Sequence, residues 1–201
     1  MKFIGITGGV GAGKTEILNF IRQHYKCEIY LADEVAHLVK QPGTLCYDRL
    51  VELMGREILQ TDGFIDKAKM ARRIFEDEQL LEQVNRIVHP AVQEFLLNRL
   101  QEARKNPRVE LFFVEAALLI EAGYEALVDE LWYVYADEQV RRQRLALARG
   151  YTEEKITAIM ANQLSEEEFR AHCDFVIDNS GTLEDSKKQI KDKLEAYTWQ
   201  E

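Results

Sequence analysis

The sequence predicts an α/β protein of three layers, in which a mainly parallel five-stranded sheet lies between helices. Three observations predict it. Short apolar runs recur along the chain with helix-compatible segments between them, the pattern of repeated βαβ units. The first run leads directly into a glycine-rich loop and then a helix-spaced segment. One long interval, residues 42–107, has almost no strand signal and reads as a helical insertion.

Residues 2–7 (KFIGIT) form a short apolar run bounded by glycine, which predicts a buried strand. Residues 15–25 follow with Ile17, Leu18, Phe20 and Ile21 at helical spacing. A second short strand is predicted over 28–31, and a helix over 33–40 with Val35, Leu38 and Val39 apolar, which places Asp33 where a strand ends. Within 42–107 a turn is expected at Thr61-Asp62-Gly63 and a helix end before Pro90, because proline disfavours helical geometry in the residue before it. Strand character returns over 109–115 (VELFFVE), 130–136 (ELWYVYA) and 175–178, and a last helix runs toward Tyr197.

A chain of 201 residues can bury one sizeable core, and a single domain is expected, with a helical substrate-binding region at about 33–108 and a lid at about 138–172. The net charge of −9 opposes general binding to a nucleic-acid backbone, which depends on Lys and Arg displacing counterions. Three cysteines, Cys27, Cys46 and Cys173, fall at wide spacing with no metal-site or redox pattern, so a reducing cytoplasm is expected. The run 111–120 is interrupted by Glu115 and is too short to span a bilayer. The N-terminal apolar run, broken by Gly8–Thr15, does not read as a signal peptide. Neither a nucleic acid nor a membrane is expected as partner, and the chain is expected to be a monomer or a weak homo-oligomer.

The chemistry concentrates in Gly8-Gly9-Val10-Gly11-Ala12-Gly13-Lys14-Thr15, which satisfies G-x-x-x-x-G-K-[ST] between a strand and a helix. This is the phosphate-binding P-loop, so the fold expected is the three-layer P-loop NTPase fold. Glycines let backbone N–H groups approach phosphate oxygens, Lys14 reaches the β/γ-phosphates, and Thr15 holds Mg²⁺. Asp33 is the candidate catalytic carboxylate, able to take a proton from an acceptor hydroxyl or to hold Mg²⁺ through water; the competing reading is a helix N-cap. Glu115 closes the run Leu111-Phe112-Phe113-Val114, and is expected either to support the metal or to be an ordinary polar strand end. Glu121 is a weaker candidate for the same region. Arg141, Arg142, Arg144 and Arg149 form a basic cluster, expected to close over a triphosphate or else to be a solvated helix face. The four histidines have no metal-ligand spacing.

Several segments together resemble the dephospho-coenzyme A kinase family. They are Ile4-Gly5-Ile6-Thr7-Gly8-Gly9, Ala32-Asp33-Glu34-Val35-Ala36-His37, Gly63-Phe64-Ile65-Asp66 with Ile74-Phe75, and Ile87-Val88-His89-Pro90. Leu118-Leu119-Ile120-Glu121, the Arg144–Arg149 region with Gln163, and Val176-Ile177-Asp178-Asn179-Ser180-Gly181 complete the set. The resemblance implies transfer of the γ-phosphate of ATP to the ribose 3′-hydroxyl of dephospho-coenzyme A, with Mg²⁺. It implies Asp33, Lys14 and Arg144 as catalytic residues, and ATP contacts from the P-loop, Arg144, Arg149, Asn179 and Gly181. Asp33, His89, Leu118 and Glu121 would meet the acceptor, and Thr15, Asp33 and Glu115 the metal. Leu31, Ala117 and Lys67 depart from the family's usual Asp, Pro and Arg, and the Arg144–Arg149 spacing is one residue longer than usual. The alternatives are a P-loop kinase for a nucleoside, nucleotide or other small hydroxyl acceptor, a GTPase, and a nucleotide-binding module without turnover. Asp178-Asn179-Ser180-Gly181 fits the GTPase pattern D-x-x-G, but it falls near the C-terminus and no guanine motif N-K-x-D accompanies it.

Overall fold

In the computed structural model, which describes residues 1–197, five strands form one parallel sheet: β1 (Lys2–Thr7), β2 (Cys27–Leu31), β3 (Leu111–Glu115), β4 (Glu130–Tyr135) and β5 (Phe175–Asp178). Their spatial order is β2-β3-β1-β4-β5. β1 is central, pairing Ile6 with Glu115 of β3 on one side and Thr7 with Tyr133 of β4 on the other. The chain passes from one side of β1 to the other between β3 and β4, and this switch point is where open α/β sheets leave a crevice at the carboxyl ends of their strands. The three inner strands are buried almost end to end, as a parallel sheet covered on both faces requires. Trp132, Phe112, Phe113, Ile4 and Ile6 are fully buried at its centre.

Nine α-helices occur among the described residues: α1 (Lys14–His24), α2 (Ala32–Leu38), α3 (Leu45–Met54), α4 (Lys67–Glu76), α5 (Glu78–Arg104), α6 (Glu138–Arg149), α7 (Glu153–Ala161), α8 (Glu166–His172) and α9 (Leu183–Glu195). None is long and apolar enough to cross a membrane. The chain divides into two units, one made of Met1–Ile29 with the chain from Asn106 onward, the other of Tyr30–Lys105. The four C-terminal residues of the expected 1–201 domain lie outside the described residues.

The Tyr30–Lys105 unit is built around α5. Its buried residues Leu80, Val84, Val88, Val92, Leu96 and Leu100 recur every fourth position. At 3.6 residues per turn that stripe advances about 40° at each step. It therefore winds around α5, which packs against α2, α3 and α4. The helix end expected before Pro90 is overturned, because α5 runs unbroken through it. Pro90 and its neighbour His89 are solvent-exposed, so the carbonyl deprived of a partner can be hydrated. An interior proline costs ~3 kcal/mol, whereas each buried Val or Leu of the stripe contributes roughly 1.5–3 kcal/mol. The turn expected at Thr61-Asp62-Gly63 forms: Leu59 bridges Ile65 in antiparallel fashion, and Gly63 takes φ 86°.

Candidate active site

The glycine loop leaves the end of β1 and opens α1. Gly13 and Gly8 show why this loop needs glycine. Gly13 has φ 92°, and a β-carbon there would come 2.2 Å from Asn179 Nδ2. At Gly8 a β-carbon would lie 2.4 Å from the Val134 carbonyl oxygen of β4. The loop is thus pressed against its neighbours, and the missing side chains are what allow it.

Alternate carbonyls of this loop are tied down by side chains. Lys14 Nζ donates to the Gly8 carbonyl at 2.6 Å. Arg141 Nε donates to the Val10 carbonyl at 3.0 Å. The Ala12 carbonyl accepts from Asn179 Nδ2 at 2.7 Å and from Arg144 Nη1 at 3.3 Å. No peptide bond is cis, so the N–H groups of Gly9, Gly11 and Gly13 point away from those carbonyls. Backbone donors turned away from those carbonyls, at the positive end of α1, suit an anion.

Helical spacing sorts the arginines of α6. Arg141 and Arg144, three apart, share the face that meets the loop, and Arg144 Nη2 also donates to the Asn179 carbonyl at 2.9 Å. Arg142 points elsewhere and pairs with Glu138 at 2.7 Å and Glu153 at 2.5 Å. Arg149, at the end of α6, lies over the Tyr151 ring at 5.9 Å. The four-arginine cluster expected from sequence is therefore two loop-facing cations and two others. Burial pulls the Arg141 guanidinium below its ordinary value, with Tyr133 and Glu138 acting the other way. Arginine keeps its proton regardless, so Arg141 is a half-buried cation whose hydrogen bonds run to neutral oxygens, and an anion beside it would be favoured.

Gln163, in the connection between α7 and α8, contacts the loop as well. Its Oε1 accepts from Val10 N at 3.2 Å and from Arg141 Nη2 at 2.5 Å. Sequence reading named Arg141 and Gln163 without assigning them to the loop. The three-residue interval between Arg141 and Arg144 is the available signal for the first, and Gln163 has only its place in the family resemblance.

The remaining expected residues fall as follows. Glu115 ends β3 with Oε1 3.6 Å from Lys14 Nζ, both side chains mostly buried. Thr15 is exposed at the start of α1. Asn179 is buried, 4% exposed, and its Oδ1 accepts from Ser186 Oγ at 2.8 Å. Its side chain is thus committed to the loop and to α9. Gly181 is exposed just beyond it, and the exposed Leu118 and Glu121 lie in the turn after β3. In the other unit Asp33 is exposed in the first turn of α2, whose N-cap is Leu31. The N-cap alternative for Asp33 is overturned, and its carboxylate makes no hydrogen bond among the described residues. His89 stands on the exposed side of α5.

The dephospho-CoA kinase family profile matches residues 2–185. The chain belongs to that family. It is 35% identical to the dephospho-CoA kinase of Aquifex aeolicus over 199 residues, covering 98% of each chain. Among solved structures it resembles TT1252 from Thermus thermophilus, with 29% identity, a TM-score of 0.80 and 98% of each chain covered. It also resembles a dephospho-CoA kinase from Campylobacter jejuni, with a TM-score of 0.71 at 20% identity, covering 96% of this chain and 95% of the other. Within this family the strand, glycine loop and helix are the P-loop of a kinase, and the three-layer α/β fold is the expected one.

Proposed function

We propose that this chain transfers the γ-phosphoryl group of ATP to the ribose 3′-hydroxyl of dephospho-CoA, giving coenzyme A. Membership of the dephospho-CoA kinase family supports the acceptor. The observation that carries the phosphoryl chemistry is the glycine loop at the start of α1, whose carbonyls are held by Lys14, Arg141 and Arg144.

Lys14 exchanges the Gly8 carbonyl for the β- and γ-phosphate oxygens, a stronger, charge-assisted partner. Arg144, with Arg141 beside it, stabilises the charge on the transferring group, and the 138–172 region acts as a lid that excludes water. Arg149 and residues 179–181 flank the rest of the nucleotide. Asp33 orients the 3′-hydroxyl and accepts its proton as the new P–O bond forms and the bond to ADP breaks. Phosphoryl transition states are loose, so its positioning role outweighs its strength as a base. His89, Leu118 and Glu121 are assigned to the acceptor.

The donor set fits Mg²⁺. Thr15 would contribute a hydroxyl and Glu115 a carboxylate to the ion, and Asp33 is assigned to it through water. Among the described residues no group of three or more His, Cys, Asp or Glu could hold a metal. A few protein oxygens completed by phosphates and water suit Mg²⁺ rather than an all-protein cage. When bound, the ion would neutralise charge shared by the β- and γ-phosphates. We place the activity in the cytoplasm, in a monomer or weak homo-oligomer that uses neither nucleic acid nor membrane.

The decisive experiment supplies the purified protein with ATP, Mg²⁺ and a panel of dephospho-CoA, nucleosides, nucleotides and sugar acids, and reads products by mass. Coenzyme A as the dominant product is expected. Preferential phosphorylation of another acceptor would replace this reading, and ATP consumption indifferent to acceptor would make the chain an NTPase.

A further inference from the structure

Three groups close a ring of hydrogen bonds at Val10 of the glycine loop. The Val10 carbonyl accepts from Arg141 Nε at 3.0 Å, the Val10 N–H donates to Gln163 Oε1 at 3.2 Å, and Arg141 Nη2 donates to the same Oε1 at 2.5 Å. Two N–H donors converge on one atom of the Gln163 amide, so that atom is its oxygen. The guanidinium lies against Gly9, where a β-carbon would collide with it. Gln163 is itself tied on both sides. Its N–H donates to the Met160 carbonyl at the end of α7. Two residues later Ser165 and Glu168 form the capping box that starts α8. Phe169 of α8 then stacks on Tyr133 of β4, with ring centroids 4.6 Å apart. The backbone that carries the amide is thus fixed to the sheet, and the amide to the loop.

The next residue on α6 is held in the other way. Arg142 pairs with two carboxylates, Glu138 at 2.7 Å and Glu153 at 2.5 Å, and they neutralise it. Arg141 makes no ion pair among the described residues, and the acid nearest it in sequence on α6, Glu138, is hydrogen-bonded to Arg142. Arg141 Nη1 makes no hydrogen bond among the described residues, so it is available to a ligand. An amide oxygen directs a guanidinium much as a carboxylate does, without setting a negative charge beside it.

We propose that Gln163 is a positioning residue for phosphoryl transfer, whose amide oxygen fixes the plane of Arg141 against the P-loop while leaving the guanidinium charge for the nucleotide phosphates. The proposal rests on the kinase reading of the P-loop. The neutrality of residue 163 is what it turns on. A carboxylate there would keep both hydrogen bonds and cancel the charge, whereas an aliphatic side chain would keep the charge and lose its direction. Gln163 also joins the connection between α7 and α8 to the loop, so the placing of Arg141 depends on that connection being seated.

The test uses the full-length enzyme with Gln163→Leu, Gln163→Glu, Arg141→Met, and Gln163→Leu combined with Arg141→Met. Gln163→Leu should lower kcat ~10-fold or more, the scale of a misplaced group, with KM for dephospho-CoA within about twofold. Gln163→Glu should unfold thermally at or above the wild-type midpoint and still be slow, with KM for ATP raised, because its carboxylate neutralises Arg141 and repels the phosphates. Adding Gln163→Leu to Arg141→Met should lower kcat no further, since a residue that acts through Arg141 then has nothing to position. With the wild type making coenzyme A, recovery of its kcat by Gln163→Glu overturns the proposal, because it reduces Gln163 to a structural tie. A wild-type rate in Gln163→Leu overturns it as well, and so does a full multiplicative loss in the double variant. Should Gln163→Leu fail to fold, the glutamate variant decides alone. Absence of coenzyme A from the wild type would instead strike the kinase reading itself.

Discussion

The two units carry their functional groups in opposite ways. Around the P-loop, Lys14, Arg141, Arg144 and Asn179 are each bound to loop carbonyls, and Asn179 reaches Ala12 from 167 residues away. In the Tyr30–Lys105 unit, Asp33 and His89 stand on solvent-facing helix surfaces. A group built into the fold couples binding to stability. A group on an exposed helix can be replaced with the scaffold left standing. Phosphate recognition through backbone amides needs the first kind, because amides are aimed only by the chain around them.

The largest effect that sharpens this contrast belongs to Asp33→Asn. It should lower kcat by ~10²-fold or more, the range for a lost acid–base group, with the unfolding midpoint and ATP affinity unchanged. A wild-type rate would remove Asp33 from the chemistry, and a large drop in stability would break the contrast.

Next comes Asn179→Ala. It removes one donor from the Ala12 carbonyl, which keeps Arg144, and one acceptor from Ser186 Oγ, which keeps the Asp178 carbonyl at 3.2 Å. Denaturant unfolding should show a loss of about 1–3 kcal/mol, the net worth of two internal hydrogen bonds, and KM for ATP should rise in the same variant. A change in only one of the two would show that loop order and fold stability are separable.

The smallest effect tests the opposite end of β4. There Glu130 accepts from Tyr197, Lys193 and Trp132 at 2.7, 2.9 and 3.1 Å. Burial works to raise its carboxyl, and these three bonds outweigh burial and hold it below the ordinary range. A carboxyl depressed on folding contributes stability above its unfolded value and loses it as pH falls through the folded one. Glu130→Gln should cost ~1 kcal/mol at neutral pH and little below the ordinary carboxylate range. Thermal unfolding at neutral and acid pH checks this, and kcat should stay unchanged because no phosphate-site residue is touched.

Much of the fold was legible because strong signals were local. The strand, glycine loop and helix were readable from residues 2–25, and β3 and β4 from apolar runs whose ends the structure moves by one or two residues. Pro90 misled because its penalty is local, whereas the stripe from Leu80 to Leu100 that outweighs it acquires value only when other helices cover it. Arg142 misled for a related reason. Counting basic residues along the sequence ignores that one step around a helix turns a side chain by about 100°, so it met Glu153 while Arg141 met the loop.

What the chain determined by itself is the chemistry on offer. The spacing of glycines, Lys14 and Thr15 specifies a phosphate-binding turn, and alternating apolar runs specify the parallel sheet that presents it. Only the tertiary structure decided which distant groups complete that turn: Asn179 after β5, Arg141 and Arg144 on one face of α6, and Gln163 from the α7–α8 connection. It likewise decided that Lys67 comes to His37 across 30 residues. The reason is physical. Backbone preference and periodicity act over a few residues and can be read along the chain, whereas a hydrogen bond or an ion pair is decided by which surfaces packing brings within about 3 Å of each other.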